Sequence, residues 1–364
     1  MPLDLKPLTA LRFAAAMWVV CYHFWPHLAG GGAPAIVGKG YLGVELFFVL
    51  SGFILSHVYL ESFGEGRFRY GTFLWARVAR IYPLHVAVIA GLGVLAAAAA
   101  FAGVALSGGL VNWPSLPANL LLLHAWGLAP AAAWNHPSWS ISAEWFAYLA
   151  FPAFAWTAWR LRERPTLAVV GAIMLVFGLY ALFQAGMDFP LTQATIHWGA
   201  LRIVPCFAYG CALWLLWRAG AMRSRGQALF WSGAFAALAL TLAQIGAPDA
   251  SLVTVFGGLI LALAGLTSTG SRVLSGPVGV YLGEISYAVY MTCFPWLLVY
   301  TKATERLFGL GESLPLAWWL PLLVGVVPVA AVMHHLVERP ARTALRRWAD
   351  RGFPLPKRAA AHPA

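Results

Sequence analysis

"PLTALRFAAAMWVVCYHFW" (residues 7–25) is an apolar, helix-forming run interrupted by two ionisable side chains, Arg12 and His23. Eleven positions on a helix make close to three full turns, so the two side chains share one face about 16 Å apart along the axis. An ionisable group inside a hydrophobic helix is costly unless it is paired or used. A cation near one end of the run and a titratable ring near the other read as a binding-and-chemistry pair retained in the fold. The run has no small-residue cleavage site of the kind a secretory signal carries.

The surrounding chain has the same character. Of its 364 residues, 61% are hydrophobic and only 10% charged, with a mean hydropathy of +0.73. That composition excludes an ordinary soluble domain and predicts an all-α polytopic membrane protein. Ten stretches close to the roughly 20 residues that cross a bilayer lie at 8–28, 41–60, 84–106, 138–159, 165–183, 198–217, 227–245, 251–269, 279–300 and 315–337. A further stretch at 115–137, "SLPANLLLLHAWGLAPAAAWNHP", is broken by Pro and Gly.

Charge placement orients these segments. With the N-terminus in the cytoplasm, Arg67, Arg69, Arg77 and Arg80 fall inside, and Arg160, Arg162 and Arg164 fall inside only if 115–137 does not cross. That stretch is therefore expected to be re-entrant or to lie on the outer surface. Arg218, Arg223, Arg225, Arg272 and the basic tail from Arg339 to Arg358 then also face the cytoplasm. Of 24 Lys and Arg, only Lys39, Lys302, Arg306 and Arg202 do not. The expectation is about ten helices with both ends cytoplasmic, a membrane domain over 1–342 and a disordered basic tail over 343–364. The net charge of +11 follows this topology, which argues against a nucleic-acid partner. Cys21, Cys206, Cys211 and Cys293 all sit in apolar segments, so neither a metal site nor a disulfide framework is expected.

The intramembrane polar residues fall into two layers. Arg12, Arg77 and Arg80, with His85 beside them, form a cytoplasmic layer. Arg77 and Arg80 share a helix face, and guanidinium forks suit phosphate oxygens; ordinary snorkelling anchors are the alternative for that pair. No Gly-rich phosphate loop is present. The outer layer holds His23, Glu45, His136, Ser140, Ser142, Glu144 and Arg202. His23, Glu45 and Glu144 come from three helices to similar depth, as a general base and orienting carboxylates would. The weaker explanations are a His bonded to a neighbour, an interfacial Glu45 and serines bonded to their own backbone. His57, His334 and His335 read as structural. Small Ser51 and Gly52 either bring helices close or leave a gap for a narrow ligand. A phosphate-binding inner mouth joined to an outer acid–base cluster suits coenzyme A, with its nucleotide end at the arginines and its thioester near His23.

The chain resembles the bacterial integral-membrane acyltransferase family 3 from residue 7 to about 342. The likeness is carried by Arg12 and His23 at their spacing, by "GYLGVELFFVLSGFIL" with Glu45 where Asp is common, and by "FLWARVARIYPLH" with Arg77, Arg80 and Pro83. "NHPSWSISAEWFAYLAFP" adds Trp139, Ser140, Ser142, Glu144 and Tyr148; "LGEISYAVYMTCFP" adds Ser286 and Tyr287; "VERP" adds Glu338 and Pro340. The resemblance implies a multi-pass protein of the bacterial inner membrane that moves an acyl group, acetyl from acetyl-CoA above all, to a hydroxyl of an exopolysaccharide, lipopolysaccharide or similar saccharide or glycolipid. It implies a catalytic His23, a donor-binding or active-site Arg12 and a functional Glu144. Direct transfer and an acyl-histidine intermediate both remain open, as does a homodimer. Cys293 stands where many relatives have His. No soluble hydrolase-like domain follows the membrane part, so this chain is expected to complete the transfer alone or with a partner. The competing class is a transporter or flippase, whose polar interior would mark a substrate route.

Overall fold

Proline and glycine punctuate the helices of this chain as their backbone chemistry requires. The computed structural model describes residues 5–103, 110–266 and 275–352; the expectations for Arg272 and for 353–364 fall outside them. Fourteen α-helices are present among the described residues: α1 (Lys6–Phe24), α2 (Ala35–Gly38), α3 (Gly43–Gly64), α4 (Tyr70–Phe101), α5 (Leu116–Leu120), α6 (Trp139–Leu149), α7 (Phe151–Arg160), α8 (Pro165–Met187), α9 (Gly199–Arg218), α10 (Arg225–Gln244), α11 (Asp249–Ala264), α12 (Pro277–Phe308), α13 (Leu316–Met333) and α14 (Arg339–Gly352). No strand occurs among them; Leu28 and Leu314 form a single isolated bridge. Proline opens α8 and α12, where its missing N–H costs nothing, and Gly309 ends α12 at φ 66°, a left-handed conformation that glycine adopts freely.

Eight helical segments among the described residues are long and apolar enough to cross a bilayer: Lys6–His27, Gly40–Gly64, Tyr70–Phe101, Pro165–Met187, Gly199–Arg218, Arg225–Gln244, Pro277–Phe308 and Leu316–Ala349. The other two predicted stretches are helical but differ in form. The one at 138–159 is divided into α6 and α7 at Ala150, because Pro152 in the first turn of α7 cannot continue the ladder of α6. The one at 251–269 is the 16-residue α11. The expected span at 84–106 belongs to a helix that already begins at Tyr70, so Arg77 and Arg80 lie on α4 itself. At the other end, residues 343–352, expected in the disordered tail, are helical. There α14 is held to α4 by Trp75, whose indole N–H donates to the carbonyl of Leu345 at 2.9 Å and whose ring contacts Trp348.

The core is set by two close helix pairs, α3 with α9 and α1 with α12. A Cβ on Gly52 would overlap the Phe207 carbonyl, and one on Gly210 the Val49 carbonyl. Gly52 thus serves backbone approach and leaves no gap there for a ligand. Outward-facing Met174, Leu182, Phe230 and Leu240 are exposed, as expected of lipid-facing positions.

The stretch at 115–137 holds no helix long enough to cross a bilayer. It contains the one-and-a-half-turn α5 and irregular backbone, and it enters the protein deeply enough for the Asn119 carbonyl to accept from His85 Nε2 on α4 at 2.9 Å. Non-helical backbone at such depth persists only where protein supplies its hydrogen bonds. Gly127 N–H donates to the Ile196 carbonyl, Ala200 N–H to the Ala125 carbonyl, and Ala125 N–H to the Ser142 hydroxyl.

Candidate active site

Three guanidiniums converge on one cavity. Arg12 from α1 and Arg77 and Arg80 from α4 line a space of about 150 Å³ together with Ser51, Ser140, Glu144, Tyr148, Ser286 and Tyr287. Arg12 makes no hydrogen bond or ion pair among the described residues. Arg77 Nη2 reaches the Tyr59 hydroxyl at 3.4 Å, and its guanidinium lies 5.7–5.9 Å from the rings of Tyr59, Phe73 and Tyr148. Arg80 Nη1 is 3.4 Å from Glu338 Oε1. Arg77 Nε and Arg80 Nη2 are buried without an acceptor. Buried charged donors lacking partners are costly, and at a cavity wall they fit an anionic ligand.

Glu144 belongs to this cavity. Its Oε1 accepts from the Ser51 hydroxyl at 2.6 Å, which places the carboxylate opposite the arginines and separates it from the outer cluster expected from the sequence. Ser140 also lines the cavity, and its hydroxyl donates to that of Tyr290 at 2.9 Å; Tyr290 donates to the Pro137 carbonyl at 2.8 Å.

Glu45 and Arg202 pair with each other. Arg202 Nε and Nη2 donate to the two Glu45 oxygens at 2.5 and 2.9 Å, Nη1 donates to the Ala194 carbonyl at 2.8 Å, and the guanidinium lies 4.5 Å from the Trp139 ring. Both residues are almost completely buried. The expectation that Glu45 orients His23 is therefore corrected. In a low-dielectric interior a carboxylate takes the bidentate guanidinium that its helix faces, and Glu45 on α3 faces α9.

His23 is half-buried and does not line the cavity. Its Nδ1 lies 2.8 Å from the Val19 carbonyl. A carbonyl can only accept, so Nδ1 carries the proton and Nε2 retains its lone pair. The ring packs edge-on against Tyr22, 5.1 Å away. His136 lies within electrostatic reach of it, in the turn before α6, where burial and the nearby His23 together hold the His136 imidazole below its ordinary value.

Ser142 supports the irregular stretch at 115–137. Its hydroxyl donates to the Leu122 carbonyl at 2.7 Å and accepts from Ala125 N–H at 3.0 Å. Replacing Ser142 by Ala leaves both backbone groups buried and unpaired. A loss of about 1–3 kcal/mol is expected, measured as a lower unfolding midpoint in detergent; an unchanged midpoint would contradict this role.

Sequence reasoning named His85 but missed His124 and Asn135. His85 and His124 have parallel rings 6.0 Å apart, each with a buried unpaired Nδ1, and the Ser138 hydroxyl lies 3.1 Å from His124 Nε2. Asn135 donates to the Met291 carbonyl at 2.9 Å. His334 is not an isolated structural histidine: a π-helical turn, His334–Glu338, brings its Nδ1 2.9 Å from Glu338 Oε2, beside Arg80. The available signal was polar side chains in a Pro- and Gly-broken apolar stretch. Cys293 is buried, with its thiol directed at the Tyr290 carbonyl of its own helix, and it is not among the residues lining the cavity.

A multi-helix bundle with buried cations around one cavity and a basic imidazole on the same first helix matches a known class. The chain belongs to the acyltransferase family 3, whose acyltransferase domain matches residues 6–335. It is similar to "Acyltransferase MdmB" of Streptomyces mycarofaciens, with 29% identity over 94% of this chain and 93% of that protein. It is also similar to "Putative peptidoglycan O-acetyltransferase YrhL" of Bacillus subtilis (strain 168), with 23% identity over 92% of this chain and 54% of that protein. "Nodulation protein 10" of Rhizobium leguminosarum bv. viciae shares 24% identity over 82% of this chain and 81% of its own length. No solved structure matches the chain.

Proposed function

We propose that this membrane acyltransferase moves an acetyl group from acetyl-CoA, bound from the cytoplasmic side, to a hydroxyl of a cell-envelope or exported saccharide. The observation that carries the reading is the set of three guanidiniums on one cavity wall, with buried N–H groups of Arg77 and Arg80 lacking acceptors. Phosphate oxygens satisfy such donors bidentately. We take this end of α1 and α4 to lie on the cytoplasmic face of the bacterial inner membrane, with both termini inside, because the positive-inside count favours that orientation. The name of the Bacillus subtilis relative supports a glycan acceptor.

In this reading the donor's phosphates lie against Arg12, Arg77 and Arg80, and the pantetheine arm runs toward His23, a distance comparable to the helical separation of about 16 Å. His23 Nε2 removes the acceptor hydroxyl proton as the oxygen attacks the thioester carbonyl. The carbon–sulfur bond then breaks, and the thiolate takes that proton back from the imidazolium. Glu144 balances the arginine charge and fixes the cavity wall through Ser51.

The test is acetyl-CoA affinity and turnover of purified protein. Losing one charge-assisted contact corresponds to about 1.5–3 kcal/mol, so Arg12→Ala is expected to raise the donor KM and Kd roughly 10- to 150-fold. Unchanged donor affinity in Arg12→Ala, Arg77→Ala and Arg80→Ala alike would remove the donor assignment. An acetyl-protein trapped on His23 without acceptor would replace direct transfer by a two-step route.

A further inference from the structure

A second cavity, remote from the arginines, has walls of opposite character. It has a volume of about 490 Å³ and lies between the α6–α7 pair, α8 and α9, lined by residues such as Phe146, Phe154, Ala168, Gly171, Ala172 and Ala212. Its two polar wall residues are already engaged within the protein: the Thr157 hydroxyl donates to the Ala153 carbonyl at 3.0 Å, and the Cys211 thiol is directed at the Gly52 carbonyl. A polar ligand would find nothing to bond. Its wall on α8 runs from Leu167 to Leu175 and on α9 from Val204 to Leu215, lengths of about 12 and 16 Å. That is the depth of one leaflet of a hydrocarbon core about 30 Å thick.

One end of the groove carries charge. Ala158 and Leu161 line it, and the chain continues there through Arg160, Arg162 and Arg164. Arg162 is engaged by Glu163 and by the Trp159 carbonyl. Arg160, which lies over Trp156 at 5.1 Å, and Arg164 form no ion pair among the described residues. An apolar slot one leaflet deep with free cations at its mouth complements one class of molecule.

We propose that this groove is a specific site for an anionic phospholipid of the arginine-bearing leaflet, with one acyl chain between α7, α8 and α9 and the phosphate at Arg160 and Arg164. A side chain can be placed in the slot without disturbing the fold, since a Cβ on Gly171 meets nothing within 4 Å. Delipidated protein in detergent is titrated with phosphatidylglycerol and, separately, phosphatidylcholine, and bound lipid is counted by native mass spectrometry. The expected result is one phosphatidylglycerol retained per chain in preference to phosphatidylcholine. Gly171→Leu is expected to lose it while keeping the same unfolding midpoint without lipid. The double variant Arg160→Gln/Arg164→Gln should bind the two lipids alike, a loss of preference of roughly 30-fold at about a fivefold effect per arginine. Equal retention by Gly171→Leu and the parent would overturn the site. Equal binding of both lipids by the parent would overturn the headgroup assignment. A parent dimer that Gly171→Leu dissociates would give the groove to a second copy instead. Should Gly171→Leu fail to fold, the arginine variant alone decides between a headgroup site and none.

Discussion

His23→Ala is expected to lower acetyl transfer by about 10²–10⁴-fold, the range of a positioned general base, while acetyl-CoA binding and the unfolding midpoint stay near those of the parent. The separation of these effects follows from the geometry. His23 is half-buried, its one hydrogen bond is to its own helix at Val19, and it is absent from the cavity that holds Arg12, Arg77 and Arg80. Removing the ring therefore takes away the Nε2 lone pair without opening an ion pair or unpairing a buried carbonyl of another helix. The rate should also fall as the medium is acidified through the imidazole range, because a protonated base cannot accept the hydroxyl proton. Full transfer by His23→Ala protein would discard the role, and loss of donor binding in the same variant would move His23 into the donor site.

The largest stability effect is expected at Glu45. Glu45→Ala leaves the Arg202 guanidinium buried with only the Ala194 carbonyl and the Trp139 face as partners. A loss of about 3–5 kcal/mol follows from stranding one member of a buried pair. The double variant Glu45→Leu/Arg202→Met removes both charges, and well-packed apolar replacement of a buried pair is close to neutral; it should recover most of the stability. Thermal unfolding in detergent of both variants checks this. If Glu45→Ala unfolds at the parent temperature, the pair does not hold α3 to α9. If the double variant is no better than the single, packing and not stranded charge is the cause.

The contrast between Glu45 and Arg12 shows what the amino-acid order could reveal. Hydropathy located the helical stretches, and the spacing of Arg77 and Arg80 placed them on one face; the structure brings that face and Arg12 to a single cavity. Partner choice was not legible. The helix carrying Glu45 is apolar on all sides, so no amphipathic stripe reveals which neighbour each position faces. Glu45 and Glu144 thus read alike as carboxylates near the outer entry of a span, although one faces Arg202 and the other Ser51. Ser142 was indistinguishable from a serine bonded to its own helix. Its partners, Leu122 and Ala125, lie in the irregular stretch, where periodicity carries no information. The break at Ala150 was written in Pro152, but average hydropathy over a window does not register one missing N–H.

The irregular stretch at 115–137 also imposes a timetable on biosynthesis. Its amide at Gly127 needs the carbonyl of Ile196, and its carbonyl at Ala125 needs the amide of Ala200. Those partners are made roughly 70 residues later, about 3–14 s at 5–20 residues per second. Until then these two backbone groups lack their protein partners and must be satisfied by water or by the insertion machinery. Substitutions near Ile196 or Ala200 should therefore act on yield by prolonging that wait, even where they leave the finished enzyme's turnover untouched.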